Sequence, residues 1–379
     1  MKVVVSIDSF KGSLSSMQAA HCIADGVRAA IPDAEVAICP LADGGEGTVD
    51  ALAEALGAAF IGVKVHDPLG REVEAKYALT ADGRAIMEMS AAAGITMLNA
   101  DERNPRIAAT YGVGEMIKDA IARGARHIIM GIGGSATNDG GIGMLAALGF
   151  DFLDENGEKI PPYGANAAGR VSKISADGVD PAVLACRFSI ACDVKNPLCG
   201  KEGCSAVYGP QKGADAAAVA EMDAALSRYA QAAARFSDKA DPNAAGTGAA
   251  GGLGFAFLAF LNSALLPGAE LVIAECGLAA LVREADVVVT GEGKIDFQSA
   301  MGKAPAAVAA LAKQYGKPVI AFCGAIDKEG ERVTCPGIDA IFPIPTGACT
   351  LAEAMDIQTA SRNLRITAEQ VFRVLALSK

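Results

Sequence analysis

Short apolar strands alternate with amphipathic helices at both ends of this chain. The strands are predicted at 3–7, 35–39, 286–290, 318–323 and 340–344, and the helices at 17–27, 48–56, 305–315 and from 350 onward. Ser15 with Gln18, and Thr350 with Glu353, have the spacing of capping boxes that begin two of these helices. Apolar strands separated by helices are typical of a parallel sheet that helices cover on both faces. The pattern therefore predicts an α/β fold with one doubly wound parallel sheet built from both termini.

The middle of the chain has a different pattern, which predicts a mixed α/β domain inserted into the first. A hairpin at 72–79 and 85–89, joined by Ala-Asp-Gly, precedes a helix near 107–122 and a strand at 127–130. The apolar stretch 253–266 is too short to span a bilayer, so we expect a buried helix there. The two domains are expected at 1–64 plus 270–379 and at 65–269.

Composition excludes several classes of protein. The net charge of -11 and the pI near 4.9 argue against a nucleic-acid-binding protein, because phosphate backbones are bound by clusters of Lys and Arg. An apolar content of 51% excludes a disordered chain. The apolar run in the N-terminal MKVVVSID is too short for a secretory signal, so we expect a cytoplasmic protein that binds no membrane. The cysteines at 186, 192, 199 and 204 lack C-x-x-C spacing and are expected to be small hydrophobic residues rather than zinc ligands.

A glycine-rich segment, residues 131–143, follows the predicted strand 127–130 and leads into a predicted apolar helix with Ile142, Leu145 and Leu148. Six of its thirteen residues are glycine. Glycines allow a backbone to approach an anion, and a helix N-terminus offers unpaired N–H groups to it. The segment therefore predicts a phosphate-binding loop, with a tight strand-to-helix turn as the alternative. The residues expected to contact phosphate are Gly133, Gly134, Ser135, Thr137 and Asn138.

Other nucleotide-binding motifs do not fit. The P-loop pattern G-x-x-x-x-G-K-[ST] is absent from the sequence. A G-x-G-x-x-G match begins at Gly246 and ends at Gly251, but it follows a polar stretch rather than a strand. This context disfavours a dinucleotide site, although an oxidoreductase that uses a nucleotide cofactor remains an alternative function.

Charged residues follow three strands of the terminal domain, at the sheet edge where α/β folds bind ligands. Asp8 and Lys11 follow the first strand, where Asp8 could accept a hydroxyl proton or bind a metal and Lys11 could bind a phosphate. The other two groups are Asp43 with Glu46, and Glu292 with Lys294 and Asp296. Each group alone is about as well explained by a helix cap or a solvated loop. Together they indicate a phosphate site assisted by Mg²⁺, with Asp43, Glu46 and Asp296 as metal ligands.

A further polar group, Asp193, Lys195 and Asn196, follows the apolar run RFSI at 187–190. An acid and a lysine two residues apart after a strand could contact a small polar substrate. A plain turn at Asn196-Pro197 explains the same residues equally well.

Four motifs together give the chain a specific resemblance. SIDSFKGS (6–13), ADGGEGT (42–48), GIGGSATNDGG (131–141) and TGEGKID-x-Q-S (290–299) resemble those of the type I glycerate kinases, in the same order and across the whole chain. The resemblance implies phosphorylation of D-glycerate by ATP with Mg²⁺, in the breakdown of glycolate, glucarate or related acids. It implies the 2-hydroxyl as acceptor, giving 2-phosphoglycerate. It also implies two α/β domains, one of them flavodoxin-like, with the active site between them.

Residue roles follow from chemistry and position within that reaction. The expected catalytic residues are Asp8, Lys11 and Asp193, the substrate-binding residues are Ser9, Ser13, Lys195 and Asn196, and Glu292 and Lys294 join the phosphate loop in binding ATP. The expected partners are therefore small molecules only. Phosphorylation of the 3-hydroxyl and a non-catalytic metabolite sensor remain alternatives, and the sequence leaves a homodimer open.

Overall fold

The computed structural model describes residues 1–42, 47–295, 304–326 and 336–377. It divides into two compact units. The first unit contains Met1–Leu56 and Gly268–Lys379, and the second contains Gly57–Pro267. The strand that spans the expected boundary at 64/65 belongs entirely to the second unit.

Strands and helices alternate along most of the chain. The strands are β1 Lys2–Val5, β2 Glu35–Ile38, β3 Ala59–His66, β4 Glu72–Leu79, β5 Arg84–Glu88, β6 His127–Gly131, β7 Asp151–Leu153, β8 Lys173–Ser175, β9 Arg187–Ala191, β10 Asn262–Leu266, β11 Val287–Ile295, β12 Val319–Ile326 and β13 Ala340–Pro343. The α-helices are α1 Ser16–Ala30, α2 Thr48–Ala55, α3 Ser90–Ala93, α4 Tyr111–Ala122, α5 Ile142–Ala147, α6 Gly164–Ala168, α7 Pro181–Ala185, α8 Cys204–Tyr208, α9 Ala216–Phe236, α10 Ala249–Phe260, α11 Gly268–Glu275, α12 Leu278–Glu284, α13 Ala304–Gln314, α14 Leu351–Met355 and α15 Ile357–Leu377. No helix within the described ranges is both long and apolar enough to cross a bilayer.

The first unit is a five-stranded sheet with the order β13-β12-β11-β1-β2, in which every neighbouring pair is parallel. Numbered within the unit, this is the 2-1-3-4-5 order of flavodoxin-like folds. Val3 and Val5 pack in one core with α1 and α15, while Val4 packs in another with α12 and α13. Because successive side chains of a strand point to opposite faces, both faces are buried. The predicted doubly wound sheet, built from both termini, is confirmed.

Two predicted helix starts have the expected caps, but the last helix is interrupted. Ser15 with Gln18, and Thr350 with Glu353, form complete capping boxes. The expectation of one continuous helix from 350 was wrong, because α14 ends at Met355 and Asp356 has an extended backbone. The Asp356 carboxylate accepts hydrogen bonds from the Thr359 N–H and hydroxyl and so begins α15 as a new helix.

The second unit is a six-stranded mixed sheet with the order β10-β9-β6-β5-β4-β3. β3, β4 and β5 are antiparallel, which confirms the predicted hairpin, and β5, β6, β9 and β10 are parallel. The predicted helix at 253–266 was wrong in its second half, since α10 ends at Phe260 and the next residues form β10. Pairing of β10 with β9 supplies backbone hydrogen bonds that the local apolar pattern does not reveal.

Candidate active site

The carboxyl ends of β1 and β11 lie side by side, at the point where the strand order of the first unit reverses. Val5 is in register with Val289, and the Asp8 N–H continues the ladder to the Gly291 carbonyl at 2.9 Å. Gly291 has a φ of +147°, and a Cβ there would lie 1.9 Å from the Phe322 carbonyl oxygen. A glycine is therefore required where β11 passes β12 at this edge. Ligands of open α/β sheets bind at such switch points.

A cavity of about 360 Å³ opens at this edge, and we name it the β1–β11 cavity. Six of the polar residues expected from the sequence line it together: Asp8, Ser9, Lys11, Ser13, Glu292 and Lys294. Its apolar lining was not predicted and consists of Phe10, Ile344, Pro345, Leu351, Ala354 and Met355, with Gly293, Gly324, Ala325 and Asn363 completing the wall. The sequence thus predicted the charged half of the cavity and missed the apolar half.

A tight turn presents the first-strand motif to this cavity. The Ser13 N–H donates to the Phe10 carbonyl at 2.7 Å, and the Phe10 N–H donates to the Leu14 carbonyl at 2.8 Å. Lys11 lies at the exposed tip of this turn, whereas Asp8 is only 7% exposed and accepts the Ser9 N–H at 2.6 Å. The buried carboxylate is thereby held beside a turn that carries an exposed lysine.

The thiol of Cys323, next to the lining residue Gly324, is unreactive. Burial, and then the charge of Glu292, raises the pKa of the Cys323 thiol to about 12. A thiol with so high a pKa carries almost no thiolate near neutral pH, so it is a poor nucleophile.

The second unit places another predicted group at the carboxyl edge of its own sheet. β6 and β9 are neighbours, with Gly131 in register with Ala191, so the 131–143 loop and the 193–196 segment leave the same edge. Asp193 and Lys195 are exposed there. Asn196 is half-buried, donates to the Glu202 carbonyl at 2.8 Å and accepts the Tyr208 hydroxyl at 2.7 Å. Its amide therefore holds the loop that carries Asp193 and Lys195.

The predicted phosphate loop is open only at its start. Gly133 and Gly134 are exposed, whereas the side chains of Thr137 and Asn138 are fully buried. The Asn138 amide donates to the Ser205 hydroxyl at 2.8 Å. Any ligand of this loop would thus meet the backbone at 133–134 rather than the side chains that follow.

Asp139, which the sequence analysis did not single out, occupies the N-terminus of α5. Its buried carboxylate accepts the N–H groups of Gly141 and Gly143 at 3.0 and 3.3 Å. It also accepts the Thr110 N–H and hydroxyl, both at 2.8 Å. Burial raises the pKa of Asp139, and these four donors oppose the rise. The anion at this helix terminus is therefore a side chain of the protein itself.

Lys212 is a second buried charge that no sequence motif marks. It is 2% exposed, and its Nζ donates to the Ser135 hydroxyl and the Thr137 carbonyl, both at 2.7 Å. Burial lowers the pKa of Lys212 to about 8, and the charges of Cys204 and Asp139 oppose that shift. The lysine fixes the shape of the loop behind Gly133 and Gly134.

We expect Lys212 to make the free energy of unfolding increase with pH in the alkaline range. Its pKa is about 8 in the folded protein and 10.5 in the unfolded chain, so the unfolded chain binds more protons between these values. The free energy of unfolding should therefore rise with pH over this window, by on the order of 3 kcal/mol relative to Lys212→Met. Urea denaturation of both proteins between pH 8 and 10.5 measures the difference. The exposed Lys118→Met is the matched control, and parallel pH profiles for wild type and Lys212→Met would contradict the expectation.

The alternative glycine motif is packed inside the second unit. A Cβ at Gly248 would lie 2.2 Å from the Pro197 carbonyl oxygen, and one at Gly251 would lie 2.1 Å from that of Thr137. Both glycines are buried and allow neighbouring backbone segments to approach closely. This packing does not fit a dinucleotide site.

The predicted metal ligands Asp43, Glu46 and Asp296 lie outside the described residues. Among the residues that are described, no group of three His, Cys, Asp or Glu side chains is arranged to bind a metal ion. The β1–β11 cavity nevertheless contains the carboxylates of Asp8 and Glu292, which are the hard oxygen donors that Mg²⁺ accepts.

The chain is similar over nearly its whole length to proteins of one family. A model of the glycerate kinase family matches residues 3–376. The glycerate kinase of Haemophilus influenzae is 45% identical over 377 residues, covering 99% of both chains. The glycerate 2-kinase of Escherichia coli K12 is 42% identical over 373 residues, covering 97% of this chain and 98% of the relative. A crystal structure of a protein provisionally named glycerate kinase 2, from Salmonella typhimurium LT2, superposes with a TM-score of 0.90 at 44% identity, covering 100% of this chain and 99% of that one. These matches confirm the resemblance carried by the four sequence motifs, and the chain belongs to the glycerate kinase family.

Proposed function

We propose that this protein transfers the γ-phosphoryl group of ATP to the 2-hydroxyl of D-glycerate, giving 2-phosphoglycerate and ADP. The observation that carries the proposal is the β1–β11 cavity, where two carboxylates and two lysines meet at the switch point of a parallel sheet. The names of the relatives support glycerate as substrate, and the Escherichia coli relative, named a 2-kinase, supports the 2-hydroxyl.

The cavity residues have distinct roles in this mechanism. Asp8 orients the acceptor hydroxyl and accepts its proton as the oxygen attacks the γ-phosphorus, while the bond from that phosphorus to the oxygen of ADP breaks. Lys11 and Lys294 stabilise the negative charge on the transferring group and on the departing ADP. The protein thus contributes position and charge rather than a covalent intermediate.

We propose Mg²⁺ as the metal that accompanies ATP. Glu292 offers a carboxylate oxygen within the described cavity, and Asp43, Glu46 and Asp296 are the further proposed ligands. When bound, the ion neutralises part of the phosphate charge.

The second unit supplies a separate set of proposed contacts. We propose that the backbone N–H groups of the exposed residues Gly133 and Gly134 bind an anionic oxygen, and that Asp193 and Lys195 contact polar groups of the substrate. Ser135, Thr137 and Asn138 act through the shape of the loop, with Lys212 holding Ser135. Since ATP is a co-substrate of the cell interior, we place the reaction in the cytoplasm, in the breakdown of glycolate, glucarate or related acids.

The reaction is tested by NMR of the product formed from ATP, Mg²⁺ and D-glycerate labelled with ¹³C at carbon 2. We expect a new phosphomonoester signal in the ³¹P spectrum, coupled directly through oxygen to the labelled carbon. A ³¹P signal split by the two protons of carbon 3, instead of the single proton of carbon 2, would overturn the regiochemistry, and absence of any phosphomonoester would overturn the kinase activity. A reaction with L-glycerate is the matched control for the stereochemistry of the acceptor.

A further inference from the structure

We infer that the β1–β11 cavity binds the nucleoside end of the nucleotide, with the base against α14 and the phosphates directed to Lys11 and Lys294. This inference rests on the proposed function and assigns one of its two substrates to the described cavity. The sequence had predicted phosphate contacts at Glu292 and Lys294 but no place for the base.

Both charged and apolar residues line the cavity. The segment after β1 and the end of β11 contribute Asp8, Lys11, Glu292 and Lys294, whereas α14 contributes the apolar side chains of Leu351, Ala354 and Met355. Glycerate is a three-carbon acid in which every carbon bears oxygen, so it has no apolar surface to bury against such a wall. A nucleotide has an apolar base at one end and phosphates at the other, which matches both sets of residues.

The volume of the cavity also fits a nucleotide better than glycerate. At about 360 Å³ the cavity falls within the range of roughly 300–1,000 Å³ that is typical of sites for cofactor-sized ligands. A molecule as small as glycerate would leave most of that volume to water, beside apolar side chains that water solvates poorly.

β11 and β12 contribute small residues to the cavity lining. They are Gly293 and Gly324, which have no side chain, and Ala325. A Cβ at Gly324 would lie 2.6 Å from the Gly293 carbonyl oxygen, because the two backbones approach closely there. The result is a part of the cavity lining without bulky side chains, where a ligand can contact the backbone directly.

Two apolar side chains in the lining of the cavity are exposed. Leu351 is 76% exposed and Met355 is 37% exposed, and both line it from α14. Apolar side chains that rim a concave site with charged residues in its lining are typical of a surface that a ligand covers.

The test fills the cavity on its apolar side. Ala354 lines the cavity and is only partly buried, so Ala354→Phe should fold while occupying the space of the base. We expect the Kd for ADP, measured by calorimetry without glycerate, to rise at least about ten-fold, and the KM for glycerate to change less than about two-fold. Adenosine should displace ADP from the wild type, and tripolyphosphate should bind Ala354→Phe as it binds the wild type.

The matched control is Ala352→Phe, which adds the same side chain to an exposed position of α14 outside the cavity lining. Leu351→Ser, at an exposed position, is a second variant that removes apolar contact without filling space. If ADP binding is unchanged in both Ala354→Phe and Leu351→Ser, or if the KM for glycerate rises instead, the inference is wrong. ADP binding is measured without turnover, so this outcome is distinct from a failure to phosphorylate glycerate.

Discussion

Lys11→Ala is expected to lower kcat by about 10²–10³-fold, the loss typical of removing one electrostatic donor from a reacting group. Lys11 lies at the tip of the turn that enters the β1–β11 cavity, close in sequence to the buried Asp8. Its ammonium group would stabilise charge that develops during transfer, so the loss should appear in kcat more than in the KM for glycerate. A coupled assay of ADP release, over a range of ATP and glycerate concentrations, separates these parameters.

The matched control is Lys2→Ala, which removes a lysine from the opposite end of the same strand. Lys2 forms exposed ion pairs with Glu35 and Glu284, so its loss should leave kcat unchanged and have little effect on stability. Lys11→Arg keeps the charge but changes its geometry and should fall between the two. A Lys11→Ala enzyme with nearly full kcat and an intact fold would remove Lys11 from the mechanism.

Asp139→Ala is expected to destabilise the second unit by about 3–5 kcal/mol. The substitution leaves the N–H groups of Gly141 and Gly143, and both donors of Thr110, buried without their acceptor. It also removes the negative charge that opposes the fall in the pKa of the buried Lys212. Urea denaturation followed by circular dichroism measures the loss, and hydrogen exchange assigns it to peptides around Thr110 and 139–144.

Two further variants make this result specific. Asp139→Asn keeps one acceptor oxygen and should lower the free energy of unfolding less than Asp139→Ala does. Asp177→Ala removes an exposed carboxylate that accepts from the Ser175 hydroxyl and should change stability by less than about 0.5 kcal/mol. Equal stabilities for Asp139→Ala and Asp177→Ala would mean that the buried carboxylate does not hold the loop.

The sequence predicted the first unit well because its information is local and periodic. Runs such as Val3–Val5 are apolar on both faces, which is the pattern of a strand buried in a parallel sheet. Once such strands are parallel, their carboxyl ends share one edge, so Asp8 and Glu292 were expected at the same edge of the sheet. The sequence did not predict that β1 and β11 are neighbours, and this pairing brings both residues to one cavity.

The apolar half depends on tertiary packing and could not be predicted in the same way. Leu351 and Met355 belong to α14, near the end of the chain, and only the folded structure shows that this short helix lines the same cavity as Asp8 and Glu292. The end of α14 is itself local, since the Asp356 carboxylate caps the helix that follows. The pairing with β9 is non-local, and it converted the end of a predicted apolar helix into β10.

The buried charges were missed because their signal is three-dimensional. Asp139 stands within a glycine-rich loop where an external anion was expected, and Thr110, which donates to it, is distant in sequence. Lys212 is distant in sequence from Ser135, to which it donates. A charged residue in a loop is normally solvated, so neither residue differs in sequence from an ordinary surface residue.

The discontinuous first unit has a consequence for synthesis on the ribosome. β1 and β2 are made first, but β11, the partner on the other side of β1, follows only after the whole second unit has been translated. At ordinary elongation rates this delay lasts on the order of tens of seconds, during which one edge of an apolar strand has no partner. The contiguous second unit can fold meanwhile, whereas the β1–β11 cavity also requires α14, near the end of the chain. The nascent protein therefore has no complete β1–β11 cavity until translation is almost finished, and one edge of β1 stays unpaired during that time.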